Sequence, residues 1–400
     1  MNAYMLQSDK RVEPFGDHPG DCLIANKKLS ARQNEVLTNL GLELLPVNDV
    51  DQIEDPDEYI VFVDSLFFTR ELLQEFITKS RQAKQRTICA AKPGIATLRT
   101  VVATQDVSIA IDHIEYGLRY IPAQTLRGKD TVPVVFDLDR SYQIIPMPEH
   151  MFGESEYRIP LTDKIIIQID HWTNLWAANL GFLLAEAARL ENAPKLKLLG
   201  LALKARSVNQ WKVLRQTNKI GRKCDIHPSA YIEGSTIGDN VTVGARATIR
   251  EAVIGDNTYL GDNVTVHFSV LGESCNIQSG SLIEFAVLYP GVLGNDRIIA
   301  VSMCGRNCFI AGNVIFTNFR IDRRSVMVMK GDAMIDTGNT YLGSCVGHDV
   351  YLGAGCIVAP GRAIPNGTRL APEQLQVIRK CIPGQDVPGY RRIEIAIPDK

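Results

Sequence analysis

Three arginines stand close together in the C-terminal half of the chain, at Arg320, Arg323 and Arg324. The planar guanidinium group donates paired hydrogen bonds to phosphate oxygens, so a cluster of such groups suits an anionic ligand. We therefore treat these arginines as candidates for holding a phosphate of a substrate or coenzyme. A solvated loop is the alternative interpretation of the same three charges.

Asp64 is a second candidate, because it directly follows the apolar segment YIVFV in the N-terminal half. Residues 1 to about 125 alternate short apolar segments with amphipathic ones. This strand–helix–strand order predicts an α/β layer with a largely parallel sheet. Ligands bind such sheets at the carboxyl ends of the strands, where Asp64 would lie. A structural acid at a strand end is the competing interpretation.

A repeat of five- and six-residue units must position the candidates of the C-terminal half. From Ile226 to Leu288, aliphatic residues recur in steps of six and five, and each triplet of steps spans 17 residues. Neither helical nor strand periodicity gives this spacing. It predicts a coil with three flat faces, in which each rung buries one aliphatic side chain per face against its neighbours. Ile237, Ile254, Leu271 and Leu288 should then stack on one another.

The later part of the repeat predicts where the coil is interrupted and where it ends. The repeat loosens from Tyr289 to Ile315, breaks between Phe316 and Thr340, and resumes in steps of six from Val346. A break inside a solenoid predicts a loop that leaves one face, and such loops often carry function. The resulting organisation is an α/β domain at 1–190, a helical connector at 191–222, a coil at 223–372 with its loop at about 316–340, and a capping helix and tail at 373–400.

Two regions of the sequence resemble known families. The coil pattern resembles the hexapeptide repeat of the left-handed parallel β-helix. The segments CLIANKKLSARQNEVLTNLGLELLPV and YIVFVDSLFFTRELLQEFI resemble the front half of sugar-1-phosphate nucleotidyltransferases, in which a strand-end acid at the place of Asp64 binds the metal. The segment QSDKR lacks the glycines with which that family's loop approaches a nucleoside triphosphate. The resemblance therefore implies a divergent nucleotidyltransferase-like domain, with Mg²⁺ as a cofactor only if nucleotidyl transfer is retained.

The order of the two regions resembles the bifunctional enzymes that make UDP-N-acetylglucosamine and related nucleotide sugars. GRNCFIAGNVIFTNFRID matches that family's asparagine loop, which implies that Asn318 contacts the amino sugar or acyl group beside the coenzyme A thioester. VHFSVLGE resembles its histidine stretch, which makes His267 a candidate base. The spacing between the two exceeds the family's, and two extra rungs would separate them by roughly 10 Å. His348, in SCVGHDVYLG, is the rival base at a subunit seam of the trimer that such coils form.

The composition limits the remaining classes of function. The 400 residues carry a net charge of −2, so we expect no general binding of nucleic acid or other polyanions. No apolar segment reaches the length of a membrane span, and the polar N-terminus is unlike a signal peptide. Nine cysteines without CxxC pairs predict reduced thiols in the cytoplasm.

These observations predict a transferase of nucleotide-sugar or sugar-phosphate metabolism with an acyltransferase-type coil. Its donor would be acetyl-coenzyme A or another acyl-coenzyme A, and its acceptor a sugar phosphate or nucleotide sugar. Two alternatives stay open: a sugar-1-phosphate nucleotidyltransferase with an unusual phosphate loop, and a non-catalytic scaffold or regulatory binding protein. The flat faces of the coil predict a homotrimer, because apolar strips on them would be buried between subunits.

Overall fold

The computed structural model describes residues 1–123, 130–152, 155–295 and 298–372. The capping helix and tail predicted at 373–400 lie outside these residues. Within them, an α/β region precedes a coil of short strands, and two short helices connect the two parts.

The α/β region contains one main sheet and three two-stranded pairs. The strands of the whole region are β1 Asn2–Leu6, β2 Leu23–Ile24, β3 Lys27–Lys28, β4 Glu43–Val47, β5 Tyr59–Val63, β6 Leu66–Phe68, β7 Arg86–Ala91, β8 Ser108–Ile109, β9 Ile114–Ile121, β10 Thr131–Phe136, β11 Tyr142–Pro146, β12 Glu156–Pro160 and β13 Ile166–Gln168. Its helices are α1 Leu29–Asn39, α2 Arg70–Ala83, α3 Ile95–Arg99, α4 Glu149–Phe152 and α5 Trp172–Glu191.

The main sheet is mixed, although the sequence predicted a largely parallel one. Its strand order is β10-β7-β9-β5-β1-β4, and β8 also pairs with β9. β1 lies parallel to β4 and β5, and β10 lies parallel to β7. β9 runs antiparallel to β5 and β7, because the chain re-enters the sheet through the tight β8–β9 turn rather than through a crossover helix.

The sequence accounts for the elements at the centre of this region. β5 is apolar throughout and buried over most of its length, as expected for a strand that is covered on both faces. α2 buries one face through residues spaced three and four apart, namely Leu72, Leu73, Phe76, Ile77 and Ser80. α5 begins after His171, whose side chain accepts a hydrogen bond from the backbone N–H of Thr173.

The C-terminal half is a parallel β-helix with three stacked sheets. Its strands are β14 Lys219–Ile220, β15 Asp225–Ile226, β16 Tyr231–Glu233, β17 Thr236–Ile237, β18 Thr242–Val243, β19 Thr248–Arg250, β20 Val253–Ile254, β21 Tyr259–Leu260, β22 Thr265–His267, β23 Val270–Leu271, β24 Asn276–Ile277, β25 Leu282–Glu284, β26 Val287–Leu288, β27 Leu293–Gly294, β28 Ile298–Ala300, β29 Met303–Cys304, β30 Phe309–Ile310 and β31 Ile315–Phe316, then, after an inserted hairpin, β34 Cys345–Val346, β35 Tyr351–Leu352, β36 Ile357–Val358, β37 Ala363–Ile364 and β38 Arg369–Leu370.

The predicted stacking of the coil is confirmed. Ile237 pairs with Ile254, Ile254 with Leu271, and Leu271 with Leu288 in consecutive parallel rungs. The coil also continues where the sequence pattern loosens, because Gly294 and Cys304 take inward positions that are aliphatic in other rungs. The backbone course is therefore more regular than the sequence pattern.

Between β31 and β34 the chain leaves the coil. The excursion contains an antiparallel hairpin, β32 Met327–Lys330 and β33 Ala333–Asp336, which falls within the region predicted as a loop. The hairpin reaches the α/β region, where Nε2 of His171 lies 3.0 Å from the carbonyl oxygen of Met329. Pairing of Cys304 with Val346 then returns the chain to the same face of the coil.

Two helices, α6 Lys195–Ala205 and α7 Gln210–Leu214, stand where the sequence predicted one connecting helix. Arg206 has a φ of 48°, a left-handed conformation that ends α6. Asn209 then caps α7 by accepting hydrogen bonds from the backbone of Trp211 and Lys212. Over the described residues, no helix combines the length and apolar character that crossing a bilayer requires.

The α/β region and the coil share one apolar core. α5 packs on the coil, where Nε1 of Trp176 donates a 2.8 Å hydrogen bond to the carbonyl oxygen of Phe285. Near β2, the Asn26 side-chain amide donates a 2.7 Å hydrogen bond to the carbonyl oxygen of Leu271. These contacts hold the outer surface of the coil against the α/β region, and the candidate site lies along this junction.

Candidate functional site

His267 lies in a column of residues on one face of the coil. The register of the parallel strands aligns Glu233, Arg250, His267, Glu284 and Ala300 in successive rungs. Each of these residues is the last of its strand; Arg250 lies over the Trp211 ring of α7, and Glu284 lines a space that β11 also borders. The column therefore presents its polar side chains where the two parts of the protein meet.

His267 forms a hydrogen-bonded pair with Glu284. Its Nδ1 lies 3.1 Å from Oε1 of Glu284. A carboxylate only accepts hydrogen bonds, so Nδ1 carries the proton and Nε2 presents a lone pair. Glu251 lies 3.9 Å from Nε2, beyond hydrogen-bonding distance but near enough to stabilise a positive charge on the imidazole. This is the arrangement of an oriented general base.

The His267–Glu284 pair borders a cleft between the coil and the connector. The cleft is lined by Gln143 and Ile145 of β11, by α7 and its end, and by the coil residues Arg250, Glu251, His267, Glu284 and Phe285. The His267 side chain is 28% exposed, so the imidazole is reachable from this cleft. The Arg250 side chain is ion-paired with Glu233.

Asn318 lies on the same side of the coil as His267 but does not contact it. β25 and β28 separate β22 from β31, the strand that precedes Asn318. At the usual spacing between strands this is about 14 Å along the coil. The Asn318 side chain lies within 3.4 Å of the Tyr341 hydroxyl. Within one chain, Asn318 and His267 thus border the same junction without meeting.

An apolar cavity that opens to solvent lies between the contacts of these two residues, and both parts of the protein line it. Its volume is about 260 Å³. Its walls are the β11–β12 hairpin, one face of α5, the ends of β9 and β13, and the coil corners at Phe268, Phe285 and Val301. Glu284 and Tyr341 also line it, so the partners of both His267 and Asn318 face this space.

His348 lies against the α/β region and not on an open face of the coil. Its Nδ1 accepts a 2.8 Å hydrogen bond from the backbone N–H of Arg306, so the imidazole proton is on Nε2. Nε2 donates a hydrogen bond to Oδ2 of Asp17 at 3.2 Å. The rings of Phe15 and Tyr289 stack beside it, and its side chain is 8% exposed. In this arrangement, residues of its own chain enclose His348.

Asp17 is held as a carboxylate by these contacts. Burial alone would raise its pKa, but hydrogen bonds from His348 and Arg306 outweigh burial and lower the pKa of Asp17 below its ordinary value. The Arg306 guanidinium lies 2.7 Å from Oδ1 of Asp17. The three residues form a polar contact between an N-terminal loop and the coil.

The three arginines lie at the start of the excursion from the coil. Arg320 is ion-paired with Asp322, and this pairing raises the pKa of Arg320. Arg323 donates to the carbonyl oxygen of His150, and Arg324 is exposed. The structure therefore does not aim the three guanidinium groups at one point.

Asp64 follows β5, as predicted, and its carboxylate is engaged within the protein. Its oxygens accept hydrogen bonds from the backbone N–H and the hydroxyl of Ser8, at 2.6 and 2.9 Å. Nε2 of His18 lies 3.2 Å away, and the Asp64 side chain is 2% exposed. Mg²⁺ is usually bound through one or two carboxylates, while waters and substrate phosphates complete its octahedral shell. In this arrangement the Asp64 oxygens are engaged by Ser8 and His18, and the described residues contain no group of three or more His, Cys, Asp or Glu side chains placed to hold a metal ion.

A second charged cluster lies near Asp64 and was missed from the sequence. The Lys10 ammonium lies 2.7 Å from carboxylate oxygens of both Asp106 and Asp170. Lys330, from the inserted hairpin, also pairs with Asp106 at 2.6 Å. These residues are distant in the sequence, and only the folded chain brings them together.

Glu284 and Tyr341 are the other site residues that the sequence analysis missed. Glu284 carried a usable signal, because it stands one 17-residue rung after His267. Tyr341 carried none, because its position depends on how the chain returns from the inserted hairpin.

Two comparisons found known proteins that are similar to parts of this chain. Residues 204–292 match the family model described as the GMPPB C-terminal domain. The chain is also 32% identical over 80 residues to the uncharacterized acetyltransferase YaiX of Escherichia coli strain K12, and equally to YaiX of Escherichia coli O6:K15:H31, strain 536. Each match covers 20% of this chain and 35% of the relative, so the chain spans about a third of the length of these relatives. The family model covers the end of α6, α7 and the coil as far as the residues after β26.

Proposed function

We propose that the protein transfers an acyl group from an acyl-coenzyme A to a sugar phosphate or nucleotide sugar. The observation that carries this proposal is the His267–Glu284 pair, which orients an imidazole toward the cleft between the coil and the connector. The acetyltransferase relatives support the same class of reaction.

In the proposed reaction, Nε2 of His267 takes a proton from an amine or hydroxyl group of the acceptor. The acceptor nitrogen or oxygen then forms a bond to the acyl carbon, and the carbon–sulfur bond of the thioester breaks. The imidazolium returns the proton to the departing coenzyme A thiolate. Glu284 keeps the imidazole in the required tautomer and stabilises its positive charge during the step.

The charge near the cleft supports coenzyme A as the carrier of the acyl group. Seven basic and no acidic residues stand between Lys195 and Lys219. Gln210, Trp211 and Leu214, within this segment, line the cleft beside His267. A basic segment at the mouth of the cleft suits the phosphates of coenzyme A.

For the acceptor, the supporting observations are fewer. Asn318 borders the junction through Tyr341, and Arg324 lies exposed nearby in the chain, where it could pair with an acceptor phosphate. The other proposed phosphate ligands, Arg320 and Arg323, would have to exchange their present partners. We assign the α/β region a binding or supporting role rather than nucleotidyl transfer, because the Asp64 carboxylate is already engaged by Ser8 and His18.

Three features of the proposal concern the whole molecule. We propose that the coil is left-handed, on the strength of its hexapeptide pattern, and that the active protein is a homotrimer. His348 stays a candidate base in a trimer only if the loop that carries Asp17 moves away from it. The eight cysteines of the described residues are thiols, which supports a cytoplasmic location.

The test is an acyl-transfer assay that follows the release of coenzyme A thiol with a panel of amino-sugar phosphates and nucleotide sugars. We expect His267→Ala to reduce turnover by roughly a hundredfold or more, the usual scale for a general base. His227→Ala is the matched control, because His227 is an exposed histidine of the same coil whose Nδ1 contacts the Ser229 hydroxyl. Turnover that survives both His267→Ala and His348→Ala would exclude histidine base catalysis. Absence of turnover with every acceptor, in a well-folded protein, would favour a non-catalytic binding protein.

A further inference from the structure

The cavity between the α/β region and the coil has the character of a ligand site. Apolar side chains dominate its walls, including Ile145, Met147, Ile159, Leu180 and Phe285. Its volume of about 260 Å³ exceeds that of an apolar cavity of about 150 Å³ known to bind benzene. A concave site that is lined mainly by apolar side chains with a few polar groups is typical of the places where small molecules bind.

The coil accepts backbone strain to build one wall of this cavity. Phe268, Phe285 and Val301 line it and have φ values of 46°, 48° and 53°, in the left-handed region. At other corners of the coil this conformation is taken mostly by asparagine and glycine, for example by Asn240 and Asn257, although Arg246 and Glu251 adopt it as well. Asparagine tolerates it, whereas bulky and β-branched residues adopt it only where the surrounding structure enforces it. The strain places large apolar side chains in the cavity wall.

The cavity leads to His267. Ile145, Glu284 and Phe285 line both the cavity and the cleft beside His267, so the two spaces adjoin at these residues. An elongated ligand could therefore lie in the cavity with one end at the His267 imidazole. The Glu284 carboxylate at this boundary repels a free carboxylate and tolerates a neutral carbonyl group.

The α/β region supplies the other part of the lining. Tyr116, Ala96 and Leu138 line the cavity on that side. The Tyr116 hydroxyl is buried without a hydrogen-bond partner among the described residues.

We infer that this cavity binds the hydrocarbon chain of the acyl donor, so that the preferred donor carries an aliphatic chain longer than acetyl. The inference rests on the proposed acyl transfer for the identity of the thioester, but the cavity itself can be tested separately. With the chain in the cavity, the thioester carbonyl lies at Glu284 and Phe285, within reach of an acceptor that is deprotonated by His267.

The first experiment measures binding without coenzyme A and without turnover. Acetamide, butanamide and octanamide are titrated into the full-length protein by calorimetry, and the thermal unfolding midpoint is recorded with each. We expect affinity to rise by about fourfold for each methylene group that enters the cavity. Equal affinity for acetamide and octanamide would overturn the inference.

Two variants fill the cavity from opposite walls. Ala177→Phe adds a ring from α5, and Met147→Trp adds one from the residue that follows β11. Each should abolish the dependence of affinity on chain length. Ala187→Phe, which adds the same ring to α5 outside the cavity lining, should retain it and controls for changes in the helix. Octanamide binding that is undiminished in both filled variants would overturn the location.

A parallel series with acetyl-, butyryl- and octanoyl-coenzyme A separates this inference from the proposed function. Chain-length-dependent binding without turnover of any donor would retain the cavity site and reject acyl transfer. Turnover of acetyl-coenzyme A with no chain-length dependence of binding or rate would retain acyl transfer and reject the cavity site. Selective turnover of octanoyl-coenzyme A, lost in Ala177→Phe and kept in Ala187→Phe, would support both.

Discussion

Nδ1 of His267 lies 3.1 Å from Oε1 of Glu284 because one turn of the coil brings residue 284 alongside residue 267. The repeat itself therefore places the two side chains within hydrogen-bonding distance, and the pair does not depend on the ordering of a loop. Both residues project from adjacent parallel strands, whose positions are fixed by the buried aliphatic stack beneath them. A base on such a support is held in one orientation before substrate binds.

The first prediction concerns Glu284→Gln. A glutamine amide can donate a hydrogen bond to Nδ1, which favours the tautomer whose Nε2 carries the proton and cannot act as a base. We expect turnover to fall on the order of a hundredfold or more, with the folded structure retained because the Glu284 side chain is 36% exposed. The measurement is the steady-state rate of coenzyme A thiol release.

Glu273→Gln is the control for this prediction, since Glu273 is an exposed glutamate of the same coil. It should leave the rate within twofold or so of the unmodified protein, as for a surface substitution. A normal rate in Glu284→Gln together with a large loss in His267→Ala would show that His267 works without its carboxylate partner.

The sequence was most informative about the coil. A repeat of 17 residues requires the same inward side chain once per rung, so Ile237, Ile254, Leu271 and Leu288 had to share one stack. The periodicity failed only at positions such as Gly294 and Cys304, where neighbouring rungs kept the backbone in register without an aliphatic side chain.

The sequence was least informative about contacts between distant segments. Asp17 and His348 stand 331 residues apart, and no local pattern links them. The apolar cavity likewise depends on the docking of the β11–β12 hairpin and α5 onto three strained corners of the coil. Such features follow from the packing of two completed parts, which periodicity and local propensity do not describe.

The second prediction concerns assembly. Ile298, Ile315 and Ile357 project outward in successive rungs of one face and are 52%, 49% and 69% exposed. Burial of this strip between subunits explains its composition, and we expect a trimer by sedimentation equilibrium at micromolar concentration. Ile315→Arg combined with Ile357→Arg should yield monomers.

Ile111→Arg provides the control for assembly, because Ile111 is fully exposed in the α/β region, away from the coil. It should remain trimeric. A stable monomer of the unmodified protein would contradict the prediction, as would a trimer that is unaffected by both coil substitutions.

The third prediction concerns the α/β region. Asp64 accepts hydrogen bonds from Ser8, and Lys10 lies between Asp106 and Asp170, so the carboxylates available to a cation already have partners. Calorimetry with UTP or GTP and Mg²⁺ should therefore show weak or absent binding. Tight, Mg²⁺-dependent binding that is lost in Asp64→Ala but kept in Asp51→Ala, a change at an exposed carboxylate, would instead support nucleotidyl transfer.

The last prediction concerns the pH dependence of stability and rests on His171. Burial and the nearby charge of Lys330 together lower the pKa of His171 from its ordinary value of 6.5 to about 4, although the hydrogen bond to the carbonyl oxygen of Met329 opposes them. Because the folded state holds His171 neutral, the unfolded state binds more protons between these two pKa values. The contribution of neutral His171 to the free energy of unfolding is therefore fully present above pH 6.5 and is lost as the pH falls toward 4.

We expect this single group to reduce the free energy of unfolding by about 2 kcal/mol between pH 7.5 and pH 5. His171→Asn retains a side chain that can cap α5 but removes the titration, so its stability should depend less steeply on pH over this range. The measurement is urea unfolding at several pH values. His227→Asn, a change at an exposed histidine, should keep the slope of the unmodified protein. Equal slopes in His171→Asn and the unmodified protein would show that His171 is not the group responsible, whatever the effect of the substitution on stability at pH 7.5.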